Sequence, residues 1–451
     1  MRRLWCQHAL LPSGIADGVL VTIDNGLIAQ LERIAERPPD VEQLDGVTTP
    51  GFANAHSHAF HRALRGRTHR GRGDFWVWRD QMYALAGRLT PENYLPLARA
   101  VFAEMLMAGY TAVGEFHYVH HAADGKPYAD SNAMGNAIIE AARQAGIRLT
   151  LLDACYLQGG TGQPVSEQQR RFSDGSAAAW MSRIAALRSS LADRSVGDTV
   201  RIGAAIHSVR AVDAGSIALV ARFAAQHDMP LHAHVSEQVA ENEQIATAFG
   251  CSPTQLLAQQ GALSTRFTAV HATHLTNDDI TLYSATGSVC CFCPSTERDL
   301  ADGIGPSRGL REAGVKLAIG SDQHAVVDPF EEMRGIELDE RLLSMRRGTH
   351  PADDLVAAGT VNGYRSLGWH VGGAIEVGAL ADLTTISTDS VRLAGAPTDA
   401  LVDAVVFCAT ASDVHNVIVA GHTVVRGGRH VSIDVADELS RAISALHEGA
   451  R

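Results

Sequence analysis

Cysteine is scarce, with seven residues in 451 (6, 155, 251, 290, 291, 293 and 408). An odd number without framework spacing excludes a disulfide-stapled secreted scaffold and fits reduced thiols. Long apolar runs are missing too, so no segment reads as a membrane span, and residues 1–6 lead into no apolar stretch with a cleavage site. These absences place the chain in the cytoplasm. Positive charge is not in excess: the net charge is −12, which excludes nucleic acid and anionic membrane as default partners, because both require a basic footprint. What is present is an ordinary globular composition, in a chain long enough for a large core and more than one domain.

The first fifty residues read as β-structure. Residues 18–23 and 27–31 flank Asn25-Gly26, and Asn-Gly between β-prone runs is the strongest short hairpin signal because both residues tolerate positive φ. From residue 50, short apolar runs alternate with helical patterns. Thr90-Pro91 opens an amphipathic stretch that Ala108-Gly109 closes, giving an N-cap, a proline at the first helical position and a glycine terminator. Strands are predicted over 111–115, 148–153, 200–205, 231–235, 268–271, 288–293 and 316–321. With the run before His56 they make eight β-α repeats, the pattern of a parallel (β/α)8 TIM barrel of class α/β. After about residue 370 the texture returns to β, over 381–386, 404–407, 414–420 and 423–426. Neither terminus has enough strands for an independent domain. The chain therefore divides into a barrel over 50–370 and a small composite β-sandwich from 1–49 and 371–451.

If the barrel holds, polar residues at its strand ends converge on one site. Strand one ends in His56-Ser57-His58, whose two imidazoles share one face of an extended segment. Strand five ends in His232-Ala233-His234-Val235-Ser236-Glu237, strand six in His271, and strand eight in Ser321-Asp322. A single histidine such as His271 is more often structural than functional, and an Asp in Gly-Ser-Asp is most often a turn residue. Their joint occurrence in register with the repeat reverses those odds. Three imidazoles and a carboxylate suit one divalent ion, Zn²⁺ or Fe²⁺, with a position left for water. The cysteines at 290, 291 and 293 read as small buried hydrophobes of a barrel strand instead.

Together 51–58, 234–237, His271, Ser321-Asp322 and 377–383 resemble the amidohydrolase superfamily in its mononuclear deaminase branch, across nearly the whole chain. Strand four offers Ala204-Ala205-Ile206-His207 where a carboxylated bridging Lys would stand, which favours one metal over two. The resemblance implies His56, His58, His234 and Asp322 as metal ligands, with Zn²⁺ the first choice and Fe²⁺ the alternative. It also implies Glu237 and His271 as catalytic residues, with Asp322 able to accept a water proton. Within that branch, 54–83 and 108–121 are similar to the enzymes that deiminate N-formimino-L-glutamate in histidine degradation, as are 207–210 and 270–274.

A dicarboxylate substrate needs fixed positive charge, which Arg79 and Arg210 supply, each able to grip a carboxylate with two N–H groups. Tyr118 and His207 are suitable hydrogen-bond partners. His61 stands where the resemblance implies Gln, so this substrate contact is expected to differ. The Arg/Gly stretch over 62–73 resembles RNA-binding segments in composition, but its place after strand one in an acidic protein favours a lid that attracts an anionic substrate. A nucleobase-like heterocycle such as guanine is the alternative substrate class, and a barrel that has lost catalysis is the non-enzymatic alternative. Barrels of this kind commonly form symmetric oligomers, so a homodimer is expected.

Overall fold

The computed structural model describes residues 1–69, 75–192 and 199–448. Four strands come first, β1 (Arg2–Leu11), β2 (Gly14–Asp24), β3 (Leu27–Arg33) and β4 (Glu42–Pro50). Asn25 and Gly26 both take positive φ, 49° and 76°, in the β2–β3 hairpin, as their sequence requires. Eight parallel strands follow: β5 (Phe52–Ser57), β6 (Tyr110–His117), β7 (Arg148–Cys155), β8 (Val200–Ser208), β9 (Leu231–Val235), β10 (Phe267–His271), β11 (Val289–Phe292) and β12 (Lys316–Ile319). Each pairs with the next in order. The ring is completed by a parallel bridge between Ser57 and Asp322. There His58 N donates to Asp322 O at 3.1 Å, and Asp322 N donates to His56 O at 3.0 Å.

Every residue of β5, β6 and β7 is buried, as expected for parallel strands covered on both faces. The helix that leads into β6, Pro91–Ala108, has the predicted ends: Thr90 and Asn93 form a reciprocal cap, and Gly109 takes φ 104°. β12 is only four residues long, and Gly320 carries the chain past strand one. A Cβ on Gly320 would stand 2.8 Å from the His56 Cβ and 2.9 Å from Cys293 Sγ, so only glycine fits there.

The remaining strands, β13 (Leu383–Ile386), β14 (Val414–Val419), β15 (His422–Arg426) and β16 (Arg429–His430), join the first four in one sheet of order β16-β15-β14-β13-β4-β1-β2-β3. β13 lies antiparallel to β4, with Thr384 opposite Thr49, so the two termini are neighbours in a single sheet. Leu4, Val19, Val21, Leu44, Leu383 and Ile418 belong to a core of its own. Arg148 at the start of β7 fastens this sheet to the barrel by gripping Asp382 at 2.8 and 3.0 Å, with both side chains buried.

One predicted strand is a helix. Residues 404–407 lie within Leu401–Cys408, which is helical, and Leu401, Val405 and Val406 face inward at helical spacing. A four-residue apolar run fits either element, and packing against the helix Pro329–Ser344 decides for the helix. The Arg/Gly stretch starts as a short 3₁₀ turn, Ala59–Leu64. Arg62 and Arg65 both bind Glu104, at 2.7 and 2.8 Å, and His69 meets Asp299 at 2.6 Å, so 62–69 are tied down. Residues 70–73 of the expected lid lie outside the described residues.

Candidate metal and active site

The barrel closure delivers the first half of the site. Because β5 and the end of β12 bond through residues 56, 58 and 322, the two histidines and the aspartate arrive together. His56 Nε2 and His58 Nε2 lie 3.1 and 3.4 Å from Asp322 Oδ1. β9 adds His234, whose Nε2 is 3.1 Å from that of His56 and 3.4 Å from that of His58.

The outer ring nitrogens fix the tautomers. His58 Nδ1–H donates to Phe116 O at 3.0 Å and His234 Nδ1–H to His207 O at 2.9 Å, leaving both Nε2 atoms as bare lone pairs. Bare lone pairs 3.4 Å apart repel unless a cation sits between them. Four donors at ~2.0–2.2 Å from one ion in a tetrahedron stand about 3.3–3.6 Å apart, close to the separations seen. Burial first, then neighbouring imidazoles, pushes His58 down to about 3 and His234 well below the usual range, so the rings are neutral, the form in which imidazole can bind a metal. Burial alone would raise Asp322, but the His56 hydrogen bond and the surrounding imidazoles hold it below the carboxylate range. The four residues fit a single divalent metal ion.

A buried carboxylate underlies this half. Glu115 accepts from Ser57 Oγ at 2.6 Å, from Ala59 N at 2.7 Å and from Tyr94 Oη at 3.3 Å, which fixes the backbone on both sides of His58. In sequence it ends a predicted strand and falls within the stretch 108–121 that carries the resemblance, with no role of its own.

Glu237, just past His234 on β9, and His271, at the end of β10, face the cluster, with Glu237 Oε1 3.9 Å from His271 Nε2. Burial raises Glu237 above the ordinary range against the pull of His271 and Arg210. Burial would lower His271, but Glu237, Glu297 and Asp322 outweigh it and raise it well above its ordinary value. Glu297, unmarked in the sequence reading, lies 3.4 Å from His271 Nδ1 and also accepts from Cys293 N at 2.9 Å. Ser236, His271 and Asp322 adopt positive φ of 52°, 69° and 41°. Non-glycine residues held there cost about 1–3 kcal/mol each, and such strain gathers at active sites.

A cavity of about 660 Å³ opens over this face. Every residue that the sequence nominated for substrate lines it: His61, Arg79, Tyr118, His207 and Arg210. His61 Nε2 is 3.1 Å from Tyr118 Oη. Arg210 lies 3.7 Å from Glu237 and 3.2 Å from Glu241, a buried carboxylate at the base of the next helix. Cys290, Cys291 and Cys293 are buried and unpaired, as the bland reading of them holds. His117, His120 and Asp153 form another buried group, but Arg183 already grips both Asp153 oxygens at 2.8 Å, so that group carries its own cation.

An eight-stranded parallel barrel with three imidazoles and a carboxylate converging at its C-terminal face, beside a free acid and an imidazole, defines a metal-dependent hydrolase. The chain belongs to the amidohydrolase family, whose model matches residues 47–424. It is 39% identical to formimidoylglutamate deiminase of Pseudomonas aeruginosa over 443 residues, 95% of this chain and 96% of that one. It is 28% identical to 5-methylthioadenosine/S-adenosylhomocysteine deaminase of Natronomonas pharaonis over 90% of this chain and 88% of that one. An amidohydrolase structure from Brucella melitensis superimposes with a TM-score of 0.92 at 32% identity, covering 99% of this chain and all of that one. No helix among the described residues is long and apolar enough to cross a membrane.

Proposed function

We propose that the protein hydrolyses N-formimino-L-glutamate to N-formyl-L-glutamate and ammonia, a step of histidine degradation. The observation that carries this reading is that the cavity holding the His/Asp cluster and Glu237 is also lined by Arg79 and Arg210, two fixed cations for a substrate with two carboxylates. The 39% identity to a formimidoylglutamate deiminase supports it. His56, His58, His234 and Asp322 would hold the metal, with Zn²⁺ preferred for an N₃O donor set and Fe²⁺ the alternative. A divalent cation bound there supplies a water of lowered pKa, poised to react near neutral pH.

The chain's own groups do the rest. Glu237 accepts the proton of the attacking water and returns it to the departing nitrogen, because burial places its affinity for a proton above that of an ordinary carboxylate. His271, held by Glu297, keeps its Nε2–H toward the reacting centre and orients the water oxygen. Water adds to the amidine carbon, the bond to the terminal nitrogen breaks, ammonia leaves and a formamide remains. His207 and Tyr118 are placed to hold the substrate next to the ligands, since their rings stand 5.1 Å from His234 and 5.2 Å from His58.

The aromatic lining of the cavity, with Trp78, Tyr83 and Phe172 among it, is the feature that a ring substrate would use. Measuring ammonia release from N-formimino-L-glutamate and from purine substrates, with metal analysis of the same preparation, tests both readings. Activity confined to the purines would overturn the first. The homodimer and the division into 1–49 with 371–451 and 50–370 belong to the same proposal; light scattering and limited proteolysis test them.

A further inference from the structure

Beyond the groups placed in that mechanism, the cavity wall carries three neutral side chains in mutual contact, Tyr83, Tyr156 and Gln169. Their hydrogen-bond polarity is determined by the backbone. Ser166 N donates to Gln169 Oε1 at 2.9 Å, which fixes the amide so that Nε2 faces the two phenols. Nε2 donates to Tyr83 Oη at 3.0 Å and Tyr156 Oη at 2.8 Å, using both of its hydrogens; Gly159 O, at 3.4 Å, is at best a shared third acceptor. Each phenol oxygen is therefore an acceptor toward Gln169 and must send its own hydrogen elsewhere. The two hydroxyls are in contact with each other, which uses one of those hydrogens. At least one is left to donate into the cavity, which Arg210 also lines.

A hydroxyl forced into the donor role in a cavity that also holds a guanidinium makes a site for an anion. Its depth tells which anion. The His207 ring is 5.1 Å from the His234 ring and the Tyr156 ring is a further 4.5 Å from His207. Tyr83 is joined to Tyr156 through Gln169 and the contact of both rings with Phe172. This is one side chain beyond the groups nearest the reacting centre, so it matches the carboxylate at the far end of the substrate rather than the one beside the formimino nitrogen.

We infer that Gln169 is a positioning residue for substrate choice: by occupying the acceptor side of the Tyr83 and Tyr156 hydroxyls, it leaves the pair a hydrogen to turn toward the distal carboxylate of the substrate. The inference rests on the formiminoglutamate reading. It concerns binding, and no step of the chemistry passes through Gln169.

The test inverts the polarity. Gln169→Glu keeps the size and the acceptor for Ser166 N, but its carboxylate draws both phenol hydrogens to itself. The measurement is the ratio of kcat/KM for N-formimino-L-glutamate to that for N-formimino-L-norvaline, which has the same length and lacks the distal carboxylate. The expected result is a fall in this ratio of at least tenfold, entering through KM, and disappearance of the effect when Q169E is placed in a Y83F/Y156F background. An unchanged ratio, or an effect that persists without the hydroxyls and so reflects only the added charge, overturns the inference. Should Q169E not fold, Y83F and Y156F singly carry the test: at least one of them is expected to lower the ratio at least threefold, and an unchanged ratio in both overturns it. A wild-type enzyme that releases no ammonia from formiminoglutamate sinks the functional reading itself, whereas an active wild type with an unmoved ratio sinks only the role of Gln169.

Discussion

Replacing Glu115 with alanine removes the acceptor shared by Ser57 Oγ, Ala59 N and Tyr94 Oη. Ser57 has another partner, since His324 Nε2 lies 3.1 Å away and can take its hydrogen. Ala59 N is left buried without an acceptor, and so is the Tyr94 hydroxyl hydrogen, although Tyr94 Oη still accepts from Phe60 N; at about 1–3 kcal/mol for each unpaired donor, E115A should lose about 2–6 kcal/mol and loosen the backbone that presents His58. Glu115→Gln separates hydrogen bonding from charge. Its amide oxygen still serves Ala59 N and Tyr94 Oη, while its NH₂ donates to Ser57 Oγ, whose own hydrogen turns to His324. The expected cost of E115Q is below about 1.5 kcal/mol, the range of an ordinary hydrogen bond. The two variants also differ in pH dependence. Burial pushes Glu115 up to about 7 from a reference of 4.5. Between those values the folded chain keeps a proton that the unfolded chain releases, so this group's contribution to stability falls as pH rises across the interval, by about 3 kcal/mol in full. Gln cannot titrate, so E115Q should gain on wild type by that amount from pH 4.5 to 7. Urea unfolding of the chelator-treated proteins across that pH range reads both effects, and metal content after dialysis reads the consequence for His58. Equal stability of E115A and E115Q, or a difference between E115Q and wild type that does not move with pH, would refute the reasoning.

Legibility follows how local the physics is. The helix Pro91–Ala108 was readable to within a residue because Thr90, Pro91 and Gly109 act within one turn. The β2–β3 hairpin was readable because Asn25-Gly26 demands its own φ values. The nominated residues lie where they were expected because a parallel barrel gathers its strand ends at one mouth, so eight repeats with His and Asp at the right ends imply one site. Glu115, Glu297, Tyr156 and Gln169 carry no such mark. Each acts through partners that only the closed barrel brings near, as when Glu115 reaches back 58 positions to Ser57. The positive φ of Ser236, His271 and Asp322 was also hidden, since no glycine announces it. Residues 404–407 misread as strand because four apolar residues carry no period, and the helices they pack on are set by distant sequence.

Glu237→Gln should retain metal and lose turnover by about 10²–10⁴-fold, the range for a general acid–base group; metal analysis beside an ammonia assay checks it, and a fully active variant would remove Glu237 from its role. Gly320→Ala places a Cβ 2.8 Å from the His56 Cβ and 2.9 Å from His56 O, an overpacking expected to cost about 1–3 kcal/mol and to weaken metal retention, read by thermal melting and by competition with a chelator. Arg148→Met tests how the two sheets are joined. Asp382 is fully buried and accepts from Arg148, from Tyr364 Oη at 2.9 Å and from Ala420 N at 2.7 Å. Without Arg148 two neutral donors remain for a charge that no longer has a cation, and breaking a buried pair in this way typically costs about 3–5 kcal/mol. Because Arg148 lies at the start of β7, far from the strand ends that carry the ligands, the loss should fall on urea stability while kcat of the folded fraction stays within about twofold. A variant that kept its stability would mean that β13 is held to β4 and to the barrel by backbone pairing and the apolar core alone.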